Sequence, residues 1–156
     1  LRENFEAFKN CTLISTGMQI GARESRMIVG EYTLTQEDLL ACTKFEDGIA
    51  ACNYDIDIHS PDGAGTSHYY FPTGAYYTIP YRTLVPKNSE NLLVAGRCIS
   101  ATHEAQASVR IMSTVCTLGE AAGVAAAVAC EDKTAVKDVD VQKVRSLLRE
   151  KGACVD

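Results

Sequence analysis

The stretch that decides the fold is NLLVAGRCISATHEAQASVRIMSTVCTLGEAAGVAAAVA, residues 91–129. Asn91 to Ala95 form a short apolar run, which is typical of a strand buried on both faces of a parallel sheet. Residues 98–110 are small and polar and show neither a helical nor a strand period, so they predict a loop. Residues 111–130 predict a long helix. A strand, a glycine turn and an Ala/Gly-rich helix are typical of a cofactor crevice, although a buried strand followed by a core helix produces the same pattern.

Two glycines inside the predicted long helix indicate close packing. Gly119 and Gly123 lie four residues apart, and a glycine in a helix costs about 1 kcal/mol relative to alanine. We therefore expect a neighbouring backbone or a ligand to approach this face closely. A membrane dimer face of small residues is the alternative, but Glu120 and the short apolar run Val124–Cys130 count against it. We predict no membrane partner.

The rest of the chain predicts mixed α and β structure. A helix follows Thr35, which is a good N-cap residue, and a second helix runs from the N-cap Asp140 to a glycine C-cap at Gly152. Strands are expected over residues 11–20, 53–58 and 76–86. The long polar loop at 60–75 contains one G-x-G, residues 63–65, but no strand precedes it and no helix follows it, so we reject it as a dinucleotide-binding motif.

Composition excludes several classes of protein. The net charge of −5 and the absence of a basic run argue against a nucleic-acid partner. The seven cysteines form no C-x-x-C pair and the three histidines no H-x(3–5)-H pair, so no zinc spacing exists. An odd number of scattered cysteines favours reduced thiols and therefore a cytoplasmic protein. Because the sequence begins at Leu1 rather than at Met, we expect a truncated fragment.

Four segments resemble one family. Residues 91–129 closely resemble the carboxyl-terminal flavin-contacting segment of FAD-dependent oxidoreductases with a glutathione-reductase-like FAD fold. IGARESRMIVGEYTLTQEDLL (20–40), YDIDIHSPDG (54–63) and IPYRTLVP (79–86) resemble the same family, which is mostly bacterial. The resemblance implies an α/β (α+β mixed) fragment of a two-domain FAD-binding fold.

The resemblance also implies a division of the chain and an activity. Residues 1–84 are expected to supply antiparallel or mixed strands of the substrate domain, and residues 85–156 the last strand and long helix of the FAD domain. The complete enzyme would transfer a hydride from a small-molecule substrate to FAD. The chain alone is expected to be inactive and to self-associate where the missing amino-terminal half docks. The alternatives are an inactive fragment or interaction module without FAD, and a protein that acts on carbohydrate.

The resemblance assigns residues to the flavin. In the family, a strand–Gly–acidic element meets the ribityl and pyrophosphate groups; here Gly96 and Arg97 stand in its place, and Arg97 can pair with a phosphate. The following loop is expected to border the isoalloxazine ring, and the start of the long helix to point at its pyrimidine end. The expected cofactor-binding residues are Gly96, Arg97, Ser100, Ala105, Ala107, Arg110, Ile111 and Met112.

Two residues are expected to act in catalysis. His103 either serves as an acid–base group or hydrogen-bonds the flavin, or else it only orders the loop. Arg110 either contacts the flavin or an anionic substrate, or forms an ion pair with Glu104 or Glu120.

Two further clusters have alternative interpretations. Arg23, Glu24 and Arg26 either line a substrate face or form a salt-bridge network. Asp55, Asp57 and His59 share one face of a predicted strand. Either this face is solvated, or the two carboxylates flank the imidazole of His59.

Overall fold

The computed structural model describes residues 1–59 and 65–156, and these form a mixed α/β structure. The described strands are β1 (Gly48–Cys52), β2 (Ile56–His59), β3 (Thr66–Tyr69) and β4 (Tyr77–Pro80). The described helices are α1 (Gln36–Leu40), α2 (His103–Val109), α3 (Met112–Asp132) and α4 (Val141–Glu150). Short 3-10 turns cover Glu6–Phe8, Tyr81–Thr83 and Val136–Asp138. The mixed fold class that the sequence predicts is confirmed.

The described strands form two small antiparallel sheets. β1 pairs with β4, and Ala50 lies opposite Ile79. A side chain at Gly48 in β1 would come within 2.8 Å of Thr78 Oγ1, so only glycine fits there. β2 pairs with β3, and Asp57 lies opposite His68. This second sheet packs on α2 and so brings its polar face close to the end of that helix.

The predicted helix boundaries at Thr35 and Asp140 are confirmed. Thr35 and Asp38 form a reciprocal capping box at the start of α1, which satisfies two otherwise free amides. Asp140 accepts hydrogen bonds from the amides of Gln142 and Lys143 at the start of α4. Gly152 has a φ of +85° just after that helix, as a glycine C-cap requires. Local side-chain chemistry therefore determines both boundaries.

The long helix exists, but its glycines do not pack closely. α3 contacts β1 and α4 and buries residues such as Leu118, Ala121 and Ala125. Gly119 and Gly123 lie on the opposite, exposed face, where an added β-carbon would meet nothing within 4 Å. The prediction of close packing at these glycines is therefore wrong for the described residues.

α3 is also longer than the apolar run in its sequence suggests. By length and composition alone it is able to cross a membrane, so the sequence argument from length does not hold. A third of its most apolar window is buried against the rest of the chain. A core helix of a soluble protein satisfies the same test, so this helix is weak evidence for a membrane span.

Three sequence predictions about irregular segments are wrong. Residues 11–20 form no strand with any described residue and leave Ile14 and Met18 fully exposed. Asn91–Ala95 form no strand with any described residue, and Val94 donates its amide to the Leu84 carbonyl. The predicted loop at 98–110 contains α2, because the Thr102 hydroxyl caps it. The two strand predictions are wrong because a strand needs a partner that local sequence does not reveal. The loop prediction is wrong because α2, with seven residues, is too short to show a helical period.

One hydrophobic core extends across the proposed boundary at residues 84 and 85. Leu34, Ile49 and Ile79 from the first portion belong to the same buried cluster as Leu118 and Leu148 from the second. The two portions therefore share a core, and their division into two domains stays a prediction.

Candidate flavin-side cavity

A cavity of about 390 Å³ lies where the two predicted portions meet. Its volume is within the range of small-molecule sites. Residues from both portions line it: Arg23, Tyr54 and Asp57 from the first, and Arg97, Arg110, Ile111 and Met112 from the second.

The corner between α2 and α3 builds one wall of the cavity. Arg110 ends α2, and Ile111 is the residue before α3. Ile111 gives α3 no side-chain cap, so the first amides of this long helix carry no side-chain acceptor. A helix N-terminus has a partial positive charge. This wall therefore offers a guanidinium group and amide donors to an electron-rich ligand.

The cavity arginines are anchored on main-chain carbonyls. Arg97 Nε donates to the Arg110 carbonyl at 3.0 Å, and Arg97 Nη1 to the Ala22 carbonyl at 3.3 Å. Arg110 Nη2 donates to the Asp57 carbonyl at 2.8 Å. Among the described residues, no carboxylate oxygen lies within 4 Å of the guanidinium group of Arg23, Arg97 or Arg110. Arg97 and Arg110 are therefore held in place, and no carboxylate of a described residue compensates their charge.

Gln106 connects two of the segments that carry these arginines. Its Nε2 donates to the carbonyls of Arg23 and Arg97, at 3.3 Å each. The side chain is fully buried, and its Oε1 has no hydrogen-bond partner among the described residues. Sequence reasoning missed Gln106, because a single polar residue in a run of small residues gives no signal.

Asp57 contributes the cavity's carboxylate and lies between two histidines. Its Oδ2 is 3.2 Å from His59 Nε2, and its Oδ1 is 3.7 Å from His68 Nε2. Asp55 lies 3.9 Å from His68. Of the expected cluster of Asp55, Asp57 and His59, only Asp57 contacts His59 among the described residues, and the imidazole that both carboxylates approach is that of His68. Sequence reasoning missed His68, which the register of β2 and β3 places opposite Asp57.

His103 is at the other end of α2 from the cavity. Its Nδ1 lies 2.8–2.9 Å from the Glu24 carboxylate, so it ties the segment around Arg23 to α2. Glu24 makes no salt bridge with Arg23 or Arg26 among the described residues, and the expected network of these three is wrong. Arg110 likewise makes no ion pair with Glu104 or Glu120 in the part that the structure describes.

The other expected cofactor residues divide into two groups. Gly96 precedes Arg97, has a φ of +98° and faces open space, so a ligand can approach its backbone. Ser100, Ala105 and Ala107 are buried in the core, and the Ser100 hydroxyl hydrogen-bonds Thr33 at 2.9 Å. The structure therefore brings Arg97, Arg110, Ile111 and Met112 together at the cavity. It places Ser100, Ala105 and Ala107 in the core, outside the cavity lining.

The donors of the cavity fit the flavin end of FAD. That end carries carbonyl oxygens and ring nitrogens that accept hydrogen bonds and gain negative charge on reduction. Guanidinium groups and the free amides of a helix N-terminus are complementary to such atoms. The residues that would hold it are Arg97, Arg110 and Met112, with the backbone of Gly96 beside them.

Comparison with known proteins identifies the family to which the chain belongs. The model of a family described as FAD dependent oxidoreductase matches residues 1–148. The match covers nearly the whole chain of 156 residues, and the chain belongs to this family. Searches of curated proteins and of solved structures return no match.

Proposed function

We propose that the cavity is the place where an FAD-dependent oxidoreductase brings a small substrate against the flavin. FAD, when bound, accepts a hydride from the substrate. The observation that supports this proposal is the composition of the cavity, whose lining comes from both predicted portions of the chain. The portion before residue 85 faces the substrate, and the portion after it faces the flavin.

Each flavin-side residue has a distinct role in this proposal. Arg97 binds electron-rich atoms of the cofactor through donors that its main-chain anchors leave free. Arg110 lies between the flavin and the substrate, because its Nη2 reaches the Asp57 carbonyl of the first portion. The amides at the start of α3 stabilise negative charge at the pyrimidine end of the ring. Gly96 allows the cofactor to approach the backbone. His103 keeps the segment around Arg23 in place through Glu24, and this role replaces direct acid–base chemistry.

We further propose that the exposed apolar surface packs against the part of the enzyme that binds the adenosine half of FAD. Leu13, Ile14, Met18 and Ile20 are more than three-quarters exposed, and the small residues of α3 around Gly123 form a second open surface. Large exposed apolar patches mark interaction sites. The free thiols at all seven cysteines support a cytoplasmic location.

Fluorescence quenching by the full chain tests the flavin site. We expect FMN and FAD to bind weakly and with affinities within threefold of each other, because the cavity contacts only the flavin end. Arg97→Gln should weaken both by about tenfold, a change of about 1.4 kcal/mol. Arg82→Gln is the matched control, because Arg82 pairs with Asp47 at 2.9 Å outside the cavity.

Two results would contradict this function. If FAD bound more than tenfold tighter than FMN and survived gel filtration, the chain would itself hold the adenosine half. If Arg97→Gln and Arg82→Gln left flavin affinity equally unchanged, the cavity would not be the flavin site.

A further inference from the structure

The substrate side of the cavity carries a charge pattern that the flavin contacts leave unexplained. Arg23 belongs to this side, and the Arg110 side chain reaches it, since its Nη2 donates to the Asp57 carbonyl. We infer that this side binds the carboxylate of a small organic acid, and that such acids are the substrate class. The inference rests on the proposed function, because the bound acid becomes a substrate only if the flavin lies opposite.

The first step of the argument is the excess of positive charge. Three arginines line the cavity and Asp57 is its one lining carboxylate among the described residues. Asp57 is itself next to the imidazoles of His59 and His68. The protein as a whole has a net charge of −5, so a cationic cavity is a local feature that contrasts with the whole molecule. A ligand with a negative charge is the complementary partner.

The second step is preorganisation. The carbonyls that anchor Arg97 and Arg110 belong to Ala22, Asp57 and Arg110, which lie on or next to the cavity wall. Gln106 holds the backbone at Arg23 and Arg97 from the buried side. Donors that are already fixed lose little conformational entropy when a ligand binds. An arginine that merely extends into solvent lacks this advantage.

The third step distinguishes a carboxylate from a phosphate. A guanidinium fork binds both anions in a bidentate manner. The three arginines outweigh Asp57 and attract a dianion more strongly than a monoanion, since Coulomb energy scales with the product of the charges. Charge alone therefore does not select a carboxylate, and the selection comes from the apolar part of the wall. Ile111 and Met112 add an apolar wall, and Met112 is 76% exposed. A monoanionic acid with a short aliphatic body satisfies both the charge and the wall.

NMR titration of the full chain with propionate tests this inference at low salt. We expect propionate to shift the side-chain Nε–Hε signals of Arg23 and Arg110 in a saturable manner. Propionamide has the same shape without the charge and should produce no saturable shift. At pH 6, where inorganic phosphate is mainly a monoanion, it should bind at least fivefold more weakly than propionate, because it has no aliphatic body to bury against Ile111 and Met112.

Three variants separate charge recognition from general structural damage. Arg110→Gln should weaken propionate binding about tenfold, while Asp57→Asn should strengthen it severalfold because a repelling charge is removed. Arg26→Gln is the control, since Arg26 is exposed in the same segment as Arg23 but does not line the cavity, and it should change affinity less than twofold. If Asp57→Asn weakens binding, or if propionamide or phosphate binds as well as propionate, the inference is wrong.

A riboflavin titration of the same samples keeps the two proposals distinguishable. If riboflavin binds and propionate does not, the carboxylate inference fails and the proposed function stands. If propionate binds and no flavin does, the site binds acids without a flavin, and the assignment of these acids as substrates is overturned together with the proposed function.

Discussion

Two groups of arginines in this protein differ in the groups that accept their hydrogen bonds. In the clasp, formed by Arg145, Arg149, Asp156 and Gly48, Arg145 donates to the Gly48 carbonyl and pairs with Asp156. Arg149 pairs with the same carboxylate at 2.7 Å. In the cavity, Arg97 and Arg110 donate only to neutral carbonyls among the described residues.

This difference separates a structural role from a binding role. In the clasp, one carboxylate is shared by two guanidinium groups. The hydrogen bond from Arg149 holds the pKa of Asp156 below its ordinary value. In the cavity, the anchors fix the geometry of the arginines but leave the charge uncompensated. A fixed guanidinium group without a carboxylate partner is available to an anionic ligand. The acceptor of an arginine is therefore more informative about function than the number of its hydrogen bonds.

The largest expected effect is on stability, from Arg145→Ala. Arg145 is buried, and its removal leaves the Gly48 carbonyl without that donor and Asp156 without one of its two partners. We expect the free energy of unfolding to fall by about 3 kcal/mol. Arg97→Ala, at an exposed site, should cost about 1 kcal/mol or less. Urea unfolding of both variants checks the contrast, and equal losses would mean that the cavity arginines are as structural as those of the clasp.

The same contrast shows what sequence can predict. The helix starts at Thr35 and Asp140 are encoded locally, because the capping side chain lies within three residues of the amide it satisfies. Arg97, Arg110 and Met112 were placed at one site by family resemblance, and the structure brings them together. Gln106 and His68 were missed, because their partners are 83 and 11 residues away. Residues 11–20 form no strand with any described residue, although their β-branched residues predict one. A strand needs a partner strand, and local propensity does not supply it.

The next largest effect is that of Tyr81→Phe on the free energy of unfolding, and it should depend on pH. The Tyr81 hydroxyl is buried and donates to the Val136 carbonyl at 2.7 Å, so Tyr81→Phe should cost about 1 kcal/mol at pH 7. Burial raises the pKa of Tyr81 to about 12 from 10.0. Between these values the unfolded chain loses this proton and the folded protein keeps it, so the wild type loses stability as pH rises. Phenylalanine cannot ionise, and the difference between the two proteins should shrink by pH 11.

Urea unfolding at pH 7, 9 and 11 measures this difference. Tyr54→Phe is the matched control at the cavity, because Tyr54 is 39% exposed and its hydroxyl has no hydrogen bond to a described residue. Its effect at pH 7 should stay within about 0.5 kcal/mol. A Tyr81 difference that is constant from pH 7 to 11 would show that its hydroxyl ionises equally in both states, contrary to its burial.

The smallest expected effect is on the free energy of unfolding when one of two glycines is replaced by alanine. Its sign differs between Gly123 on α3 and Gly96 at the cavity. Gly123 is helical, exposed and free of neighbours within 4 Å, so Gly123→Ala should stabilise the chain by about 0.5–1 kcal/mol. Gly96 at the cavity has a φ of +98°, where a side chain strains the backbone, so Gly96→Ala should destabilise it by about 1 kcal/mol.

Thermal melts of both glycine variants, together with light scattering, complete the comparison. Gly123→Leu should also be tolerated, because a groove of about 440 Å³ between α3 and α4 lies beside it and is lined by Val124 and Leu147. If the open face of α3 docks another part of the enzyme, the leucine should alter self-association of the chain while leaving its melting temperature unchanged or raised. A lowered melting temperature for Gly123→Leu would show that this face is already packed within the chain. The exposed small residues of α3 would then not form a docking surface.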